Sequence, residues 1–335
     1  MSQDLMSPAL APRRWVIPPL ARMILQRLAA AVAVLFVVTI LIFAFIHAAP
    51  GGPEQAIGGR EATPELLEAI REANNLNDPL WQQYVSFLTS LLQGDLGTSY
   101  TRREPVSTSI ATAAGVTLPL LLATWVLSTV IGGMLGLYTA RRQGSRADRA
   151  VIGFTVVGAS SPVFATGVLL SYVFGVELGW LPTLGAGEGG LDTVTHLILP
   201  VLTTTIVLMA STTRFARIRF GQVLEEDQVT FARSRGLSSR YIIRTIVLKN
   251  SGVQMITLAG AVLVAMTGGL VVVEQVYGLQ GIGTLLITGI TMRDIPIVQG
   301  VTLVVAVMVV VINLVVDILC FVIDPRLRKG LETPS

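Results

Sequence analysis

Few side chains in this sequence have the chemistry needed for catalysis or for metal binding. The 335 residues include one cysteine, Cys320, and two histidines, His47 and His196. One cysteine excludes an intrachain disulfide and a multi-cysteine metal site, and two histidines flanking apolar segments do not make a histidine-rich site. We interpret Cys320, which lies in an apolar segment, as a small packing residue, and we predict no metal site.

Motifs for phosphate binding and for hydrolysis are absent from the sequence. It contains no GxxxxGK[ST] phosphate loop, no HExxH and no GxSxG. The segment GLQGIG, residues 278–283, has the wrong order for a dinucleotide site and follows an apolar segment, so we predict an external turn there. No carboxylate pair lies at the middle of a span, as a proton-coupled carrier would need. We therefore predict that the chain is not an enzyme, binds no cofactor and has no energy source of its own.

Polar residues inside the apolar segments are the candidates for a solute path. Thr204 and Ser211 recur seven residues apart in one segment, which places them on one helix face. Such a stripe either lines a path or bonds to carbonyls one turn back in its own helix, and the residues leave both alternatives open. Gly268 and Glu274, in and near the end of the next apolar segment, complete our four candidate path residues.

Two further polar residues, Asn313 and Asp317, lie four positions apart on one face of the last apolar segment. An ionisable group in a membrane span is costly and marks a site with a purpose. Asp317 lies near the end of its segment, where that cost is smaller. We predict either a solute contact or an interhelical bond that fixes packing, and the same alternatives apply to Glu274.

The polar segment 225–250, EEDQVTFARSRGLSSRYIIRTIVLKN, has the signals of two short helices joined by a glycine. Acidic residues suit the start of the first helix and basic residues its last turn; they are Glu225, Glu226 and Asp227, then Arg233 and Arg235. Gly236 can form the C-cap, and Ser238 or Ser239 can cap a second helix over 241–248. A short helix held beneath a membrane can dock into a groove of a soluble protein. From the residues alone, a solvated connecting loop explains the charge equally well.

These residues must be positioned by membrane-spanning helices. Hydrophobic residues make up 52% of the chain, charged residues 13%, and the mean hydropathy is +0.69, whereas soluble proteins carry about 25% charged residues. Six stretches approach the roughly 20 apolar residues that a spanning helix needs: 28–46, 118–140, 151–176, 197–212, 253–273 and 300–323. The sequence has no ten-residue segments in which polar and apolar residues alternate, the pattern typical of a membrane β-barrel. We predict an all-α, polytopic membrane protein with six transmembrane helices.

The basic residues predict how this bundle sits in the membrane. Nineteen of the 24 lysines and arginines fall in the segments that share a side with both termini, which places both termini in the cytoplasm. The net charge of +3 therefore reports topology rather than nucleic-acid binding. The predicted parts are an N-terminal tail (1–22), a permease domain (23–325) and a C-terminal tail (326–335). Within the domain, 47–113 is a large external loop and 214–250 a cytoplasmic loop.

Local signals add detail to the loops and the spans. In the external loop, Pro64 and Pro79 mark helix starts, and the helix after Pro79 either packs over the bundle or docks an external protein. Gly132, Gly133 and Gly136 predict close helix packing. Pro162 predicts a kink in the third span.

A series of different short motifs extends over nearly the whole chain, from Met23 to Arg328. They are Ala49-Pro50-Gly51, Pro79, Gln83-Tyr84, Gly94-Asp95-Leu96-Gly97, Arg142 with Gly144-Ser145 and Asp148-Arg149, Ser161-Pro162, Leu178-Gly179-Trp180-Leu181-Pro182, His196 to Pro200, Val273-Glu274, Gly281 with Gly283, Asp294 with Pro296, Gln299-Gly300, Asn313, Asp317 and Asp324-Pro325-Arg326. In this order they resemble the permease subunits of type I ABC importers. The resemblance is specifically to the first permease of the dipeptide, oligopeptide and nickel uptake group.

The resemblance implies a role for the polar segment. The run from Ala232 to Leu237, preceded by Asp227 and Val229, resembles the EAA motif, which in that family forms the coupling helix seated in the ATPase. The implied ATPase-coupling residues are Glu226, Asp227, Val229, Ala232, Arg233, Arg235, Gly236 and Leu237.

The resemblance also implies an assembly and a cargo. The chain would form half of a peptide path in a prokaryotic cell membrane, surrounded by lipid. Its expected partners are a second homologous permease, two ABC ATPases or one fused ATPase, and an extracytoplasmic binding protein, with ATP and magnesium bound by the partners. The alternatives are a permease for nickel or another small solute, an ion-coupled secondary carrier, and a membrane scaffold that moves nothing.

Overall fold

The computed structural model describes residues 19–48, 52–59, 62–73 and 75–323. Within these ranges the chain is helical apart from its turns and one antiparallel bridge between Thr98 and Pro105. The predicted C-terminal tail, most of the predicted N-terminal tail, and the motifs at 49–51 and 324–326 lie outside the described residues.

The described helices are α1 (Pro19–Ala48), α2 (Gly52–Gly58), α3 (Pro64–Ala73), α4 (Leu80–Leu92), α5 (Val106–Ala140), α6 (Arg146–Ser160), α7 (Val163–Leu170), α8 (Gly190–Glu225), α9 (Asp227–Ser234), α10 (Ser239–Ile242), α11 (Leu248–Val276), α12 (Ile282–Thr291) and α13 (Ile295–Ile323). Two π-helical segments accompany them: Ser171–Glu177 continues α7, and Ile243–Val247 joins α10 to α11. We call the end of the bundle that carries α9 the α9 end, and the opposite end the α12 end.

Five helical segments of the described chain are long and apolar enough to span a membrane, and there are six if a bent pair of helices counts as one span. The pair is α6 with α7, which meet at an angle of 104°. Pro162 has no N–H to donate, and it forces Ser161 into an extended conformation (φ −81°, ψ 125°). The predicted all-α membrane fold is confirmed, and the predicted kink at Pro162 is a full break.

Two spans extend further than their apolar runs. Helix α5 begins at Val106, inside the predicted loop 47–113, and α8 ends at Glu225, inside the predicted loop 214–250. An apolar run marks the part of a helix that lies in hydrocarbon, whereas the helical hydrogen bonds continue into the polar interface. The connections at both ends are therefore shorter than the sequence indicated.

Among the described helices, α5 and α8 make the most extensive contact, and glycine makes their close approach possible. A Cβ atom at Gly132 would lie 2.8 Å from the Cβ of Thr212, and one at Gly136 would lie 2.4 Å from the Cβ of Ala216. This confirms the predicted small-residue packing for two of the three glycines. Gly133 takes no part, because its nearest neighbour is a methionine methyl at 3.9 Å.

Helix α1 lies on the outside of the bundle and is fixed at both ends. Near the α9 end, Arg27 forms an ion pair with Asp317 of α13 at 2.8 Å. This is the interhelical bond that was one of two alternatives for Asp317. Near the α12 end, Thr39 hydrogen-bonds the Tyr84 hydroxyl of α4 at 2.9 Å, so α4 packs over the bundle through its inner face. Trp81 of α4 remains 65% exposed.

Candidate functional site

The short helix α9 is anchored to the bundle by two apolar residues. Val229 is completely buried and Ala232 is 4% exposed. They belong to an apolar cluster at the α9 end that also contains Phe220 and Val223 of α8 and Ile242 of α10. Because these contacts reach both neighbouring helices, α9 is held at a fixed position relative to two spans.

The polypeptide leaves α9 through a capping arrangement that requires a glycine. The Gly236 N–H donates to the Arg233 carbonyl at 2.9 Å, and the Leu237 N–H donates to the Ala232 carbonyl at 3.2 Å. These two bonds form a Schellman motif, in which the residue at Gly236 takes a left-handed conformation, here with φ +74°. The predicted C-cap at Gly236 is confirmed.

A side-chain cap then starts the next helix. The Ser238 hydroxyl accepts a hydrogen bond from the Tyr241 N–H at 3.3 Å, so Ser238 rather than Ser239 is the N-cap. The helix does not stop at residue 248 as predicted, because the segment Ser239–Val276 continues as one span. At the other end of α9, the Glu226 side chain makes no capping bond and accepts instead from the Gln228 amide.

The outward face of α9 carries an aromatic ring and two arginines. Phe231 is 63% exposed, and the guanidinium of Arg235 lies 5.7 Å from its ring centre. Leu237, just beyond the helix, is 42% exposed. Neither Arg233 nor Arg235 forms an ion pair with a described residue. An exposed apolar and cationic surface on a rigidly held helix is suited to binding another protein.

A cavity of about 450 Å³ adjoins this surface. Its walls come from the α5–α6 turn, the end of α8, α9 and α10, and they include Arg141, Gln143, Glu225, Arg233 and Ser239. The turn is held in place by Asp148 of α6, which accepts from the Nε and a terminal nitrogen of Arg217 in α8 at 2.8 and 2.9 Å, and from the Gly144 N–H. A bidentate pair of this kind fixes orientation as well as distance. No local pattern in the sequence pairs Asp148 with Arg217, which are 69 positions apart.

Two of the four candidate path residues are buried and two are exposed. Thr204 is 6% exposed and donates to the Pro200 carbonyl, which is the back-bonding alternative. Ser211 also bonds within its own helix, to Leu208, but it is exposed, as is Gly268.

Glu274 is completely buried, and both of its carboxyl oxygens are occupied. Oε1 accepts from the Thr117 hydroxyl of α5 at 2.7 Å, and Oε2 accepts from the Thr284 N–H of α12 at 2.8 Å. The Thr117 hydroxyl also accepts from the Ile282 N–H at 2.8 Å. The cavity beside Glu274 measures about 10 Å³, which is too small for a solute.

A second buried carboxylate, Asp294, lies between α12 and α13. It accepts from the Ser99 hydroxyl and the Thr101 hydroxyl, both at 2.6 Å, and from the Thr101 N–H at 3.0 Å. Burial raises the pKa of Asp294, but the hydrogen bonds from Ser99, Thr101 and Tyr100 outweigh it and hold the pKa below its usual value. Burial of the Tyr100 side chain and, to a smaller extent, the negative charge of Asp294 raise the pKa of Tyr100 to about 12.

In the sequence, Asp294 belongs to one of the short motifs, without a predicted role. An acidic residue just before a proline-containing first turn is an N-cap signal, and Asp294 Oδ1 does face the Ile297 N–H at 3.4 Å. That signal could have located the cap. Its partners Ser99 and Thr101 could not have been found from local sequence.

Comparisons with known proteins agree with this architecture. Residues 132–329 match the family described as binding-protein-dependent transport system inner membrane component, and residues 20–121 match its N-terminal family. The chain belongs to this family. It is a permease subunit of an ABC importer, and it lies in the inner membrane as a multi-pass protein.

Several relatives and one solved structure illustrate the similarity. The permease is 37% identical over 305 residues to the glutathione transport system permease protein GsiC of Escherichia coli K12, covering 91% of this chain and 98% of that one. It is 36% identical, with the same coverage, to the GsiC protein of Salmonella choleraesuis. An inward-facing structure of the MetNI methionine ABC transporter superposes with a TM-score of 0.53 at 14% identity, over 64% of this chain and 96% of that chain. At that identity the match shows the fold alone.

Proposed function

We propose that this permease forms half of the translocation path of an ATP-driven peptide importer and that α9 couples it to a cytoplasmic ATPase. The observation that carries the proposal is the geometry of α9. Val229 and Ala232 anchor the helix, whereas the side chains of Phe231, Arg233 and Leu237 are exposed. A helix anchored on one face and exposed on the other can transmit a displacement of its partner to the spans that it contacts.

The distribution of basic residues supports the orientation that this coupling requires. The α9 end carries the arginines of the α5–α6 turn and of the segment around α9, whereas among described loop residues Arg102, Arg103 and Arg293 lie at the α12 end. Cytoplasmic segments are enriched in lysine and arginine. The α9 end and both termini then lie in the cytoplasm, and the α12 end faces the binding protein.

The expected assembly contains a second, homologous permease, two ABC ATPases or one fused ATPase, and an extracytoplasmic substrate-binding protein. ATP and magnesium would be bound and used by the ATPases, and this chain would hydrolyse nothing. Coupling would rest on Glu226, Asp227, Val229, Ala232, Arg233, Arg235, Gly236 and Leu237. Ser211 and Gly268, which are exposed, are the better placed of the four path candidates, because Thr204 and Glu274 are buried.

Peptide cargo is supported by the relatives, whose names refer to glutathione transport. Nickel or another small solute remains the alternative cargo. Membrane vesicles containing the assembled importer should take up radiolabelled glutathione or dipeptides when ATP and the binding protein are present. Uptake by this permease alone, driven by an ion gradient, would instead identify a secondary carrier.

The coupling role is tested by placing acidic residues on the exposed face of α9. Phe231→Asp and Arg233→Glu should leave the permease folded, because both side chains are exposed, but should prevent co-purification of the ATPase and stop uptake. Arg149→Glu is the matched control, since Arg149 is also exposed at the α9 end but lies on α6. If both α9 variants retained the ATPase and normal uptake, α9 would not be the coupling element.

A further inference from the structure

Two buried carboxyl groups hold the two ends of α12. Glu274 contacts helix α5, and Asp294 contacts the loop that leads into α5. Glu274 occupies its N-terminal end and Asp294 follows its C-terminal end. A ten-residue helix is about 15 Å long, so the two groups are well separated. Both are completely buried.

The N-terminal attachment leaves no space between the elements. Glu274 and Thr117 together accept the N–H groups of Ile282 and Thr284 in the first turn of α12. A Cβ atom at Gly281 would lie 2.2 Å from Glu274 Oε1 and 2.5 Å from Thr117 Oγ1. The carboxyl group therefore sits directly against the backbone that it holds.

The C-terminal attachment joins α12 and α13 to the segment that leads into α5. Asp294 binds Ser99 and Thr101, and the Val106 N–H, at the start of α5, donates to the Gly97 carbonyl at 3.0 Å. The Asp294 N–H is itself held by the Gly289 carbonyl of α12 at 2.8 Å.

An apolar cluster fills the space between the two attachments. Its buried members come from the first turns of α5, from α12 and from the start of α13: Val106, Ile110, Ala113, Ile282, Leu285, Ile297 and Val301. Gly300 of α13 meets Val106 so closely that a Cβ atom there would lie 2.6 Å from its Cγ1. This cluster is separate from the one at the centre of the bundle.

We propose that Glu274 and Asp294 are positioning residues that hold α12 and the start of α13 to the first half of α5, so that this end of the permease moves as one rigid body during transport. The proposal rests on the proposed function. Glu274 then acts on the path through α12 and not by touching solute.

Variants that remove or keep a single hydroxyl test the hydrogen bonds to Glu274 and Asp294. Thr117→Val and Thr101→Val keep the side-chain shape but remove a donor to each carboxyl group, whereas Thr117→Ser and Thr101→Ser keep the donor. In the assembled importer we expect each valine variant to transport about tenfold less solute per ATP hydrolysed. The reason is that losing one buried hydrogen bond shifts a conformational equilibrium by about tenfold. The serine variants should stay close to wild type. Normal transport per ATP in both valine variants would refute the proposal.

A disulfide tests the rigid body without weakening it. In a Cys320→Ala background, which removes the native cysteine, Val106→Cys and Gly300→Cys bring two thiols within reach of each other. Oxidation should leave ATP-driven uptake intact and should restore uptake in the Thr101→Val variant, and a reductant should reverse that rescue. The two single-cysteine variants control for local disturbance.

The outcomes separate this proposal from the function on which it rests. If the oxidised cross-link stopped uptake that the reduced form supports, α5 and α13 would have to move past each other, and the proposal would be wrong. This arm decides the question even if a valine variant fails to assemble. If instead the cysteine-free parent with all its partners showed no ATP-dependent uptake, the proposed function would fail first.

Discussion

Two short helices connect spans at opposite ends of this permease, and they are held in different ways. Helix α9 has eight residues and is delimited by its own sequence neighbours, with Gly236 closing it and Ser238 starting the next helix. Helix α12 has ten residues and is held by side chains that are distant in sequence, since Thr117 is 157 positions from Glu274 and Ser99 is 195 from Asp294.

The difference matches what each end would have to do. An element that binds a partner must keep its outer face free, so α9 uses local caps and two buried anchors. An element that has to stay fixed to its neighbours can be buried on several sides, and α12 contacts α5, α11 and α13. Substitutions should therefore harm α12 through folding and packing, and harm α9 mainly through binding.

The largest effect should come from adding a methyl group at the α12 attachment. Gly281→Ala would place a carbon 2.2 Å from Glu274 Oε1, so the carboxyl group and the α12 backbone must separate. We expect a loss of about 3 kcal/mol, at the upper end of the range for overpacked sites. Thermal unfolding of the purified permease in detergent should show a much lower midpoint.

Gly268→Ala is the matched control for that variant. It lies in α11, which also contains Glu274, but a Cβ atom there would meet nothing within 4 Å. Alanine is also the better helix former. The control should unfold at or slightly above the wild-type temperature. Equal destabilisation by both variants would mean that the contact with Glu274 is not what makes Gly281 necessary.

The next effect concerns the left-handed residue that closes α9. Gly236→Ala meets no steric obstacle, but φ is +74° there, and a side chain in that conformation costs about 1.5 kcal/mol. Because the strain is local, we expect weaker ATPase co-purification with only a small change in the unfolding midpoint. Gly236→Asn, which tolerates this conformation better, should lie between alanine and wild type. A ranking with asparagine as the worst would argue against backbone strain as the cause.

A smaller effect is expected at the cap that follows. Ser238→Ala removes the acceptor for the Tyr241 N–H, and because that bond is long at 3.3 Å we expect about 0.5–1 kcal/mol. Ser239→Ala removes a neighbouring exposed hydroxyl that has no capping role. Urea unfolding of the two variants side by side should separate them, and no difference would show that the Ser238 cap contributes little.

The same comparison explains what the sequence could and could not predict. Apolar runs located the spans because hydrocarbon imposes a minimum length on each one. The C-cap of α9 at Gly236 and the N-cap of the next helix, at Ser238 or Ser239, were predicted because such residues act on neighbours within a few positions of themselves. Helix α12 was not predicted: its ends depend on Thr117, Ser99 and Thr101, and no local pattern pairs these with Glu274 or Asp294.

Glu274 illustrates the limit most clearly. Its position in an apolar segment predicted either a solute contact or an interhelical bond. Which of the two it forms depends on the groups that surround it in space. The Glu274 carboxyl group accepts hydrogen bonds from Thr117 of α5 and from the Thr284 N–H of α12, and the Thr117 hydroxyl accepts from the Ile282 N–H. These bonds attach α12 to α5 through Glu274.

The smallest effect under ordinary conditions is a response to acid at the α12 end. The pKa of Asp294 in the folded protein lies below the value of about 3.9 that an unfolded chain would have. Its attachment is therefore fully stabilising above about pH 4 and weakens as the pH falls through the lower folded value. Between pH 5 and 8 we expect this group to add no pH dependence, because its stabilising contribution is complete and constant there. Asp294→Asn permease, which has no carboxyl group to protonate at this position, should lose less stability than wild type between pH 5 and 3. Equal acid sensitivity in the two proteins would place the acid-labile contact somewhere other than the Asp294 attachment.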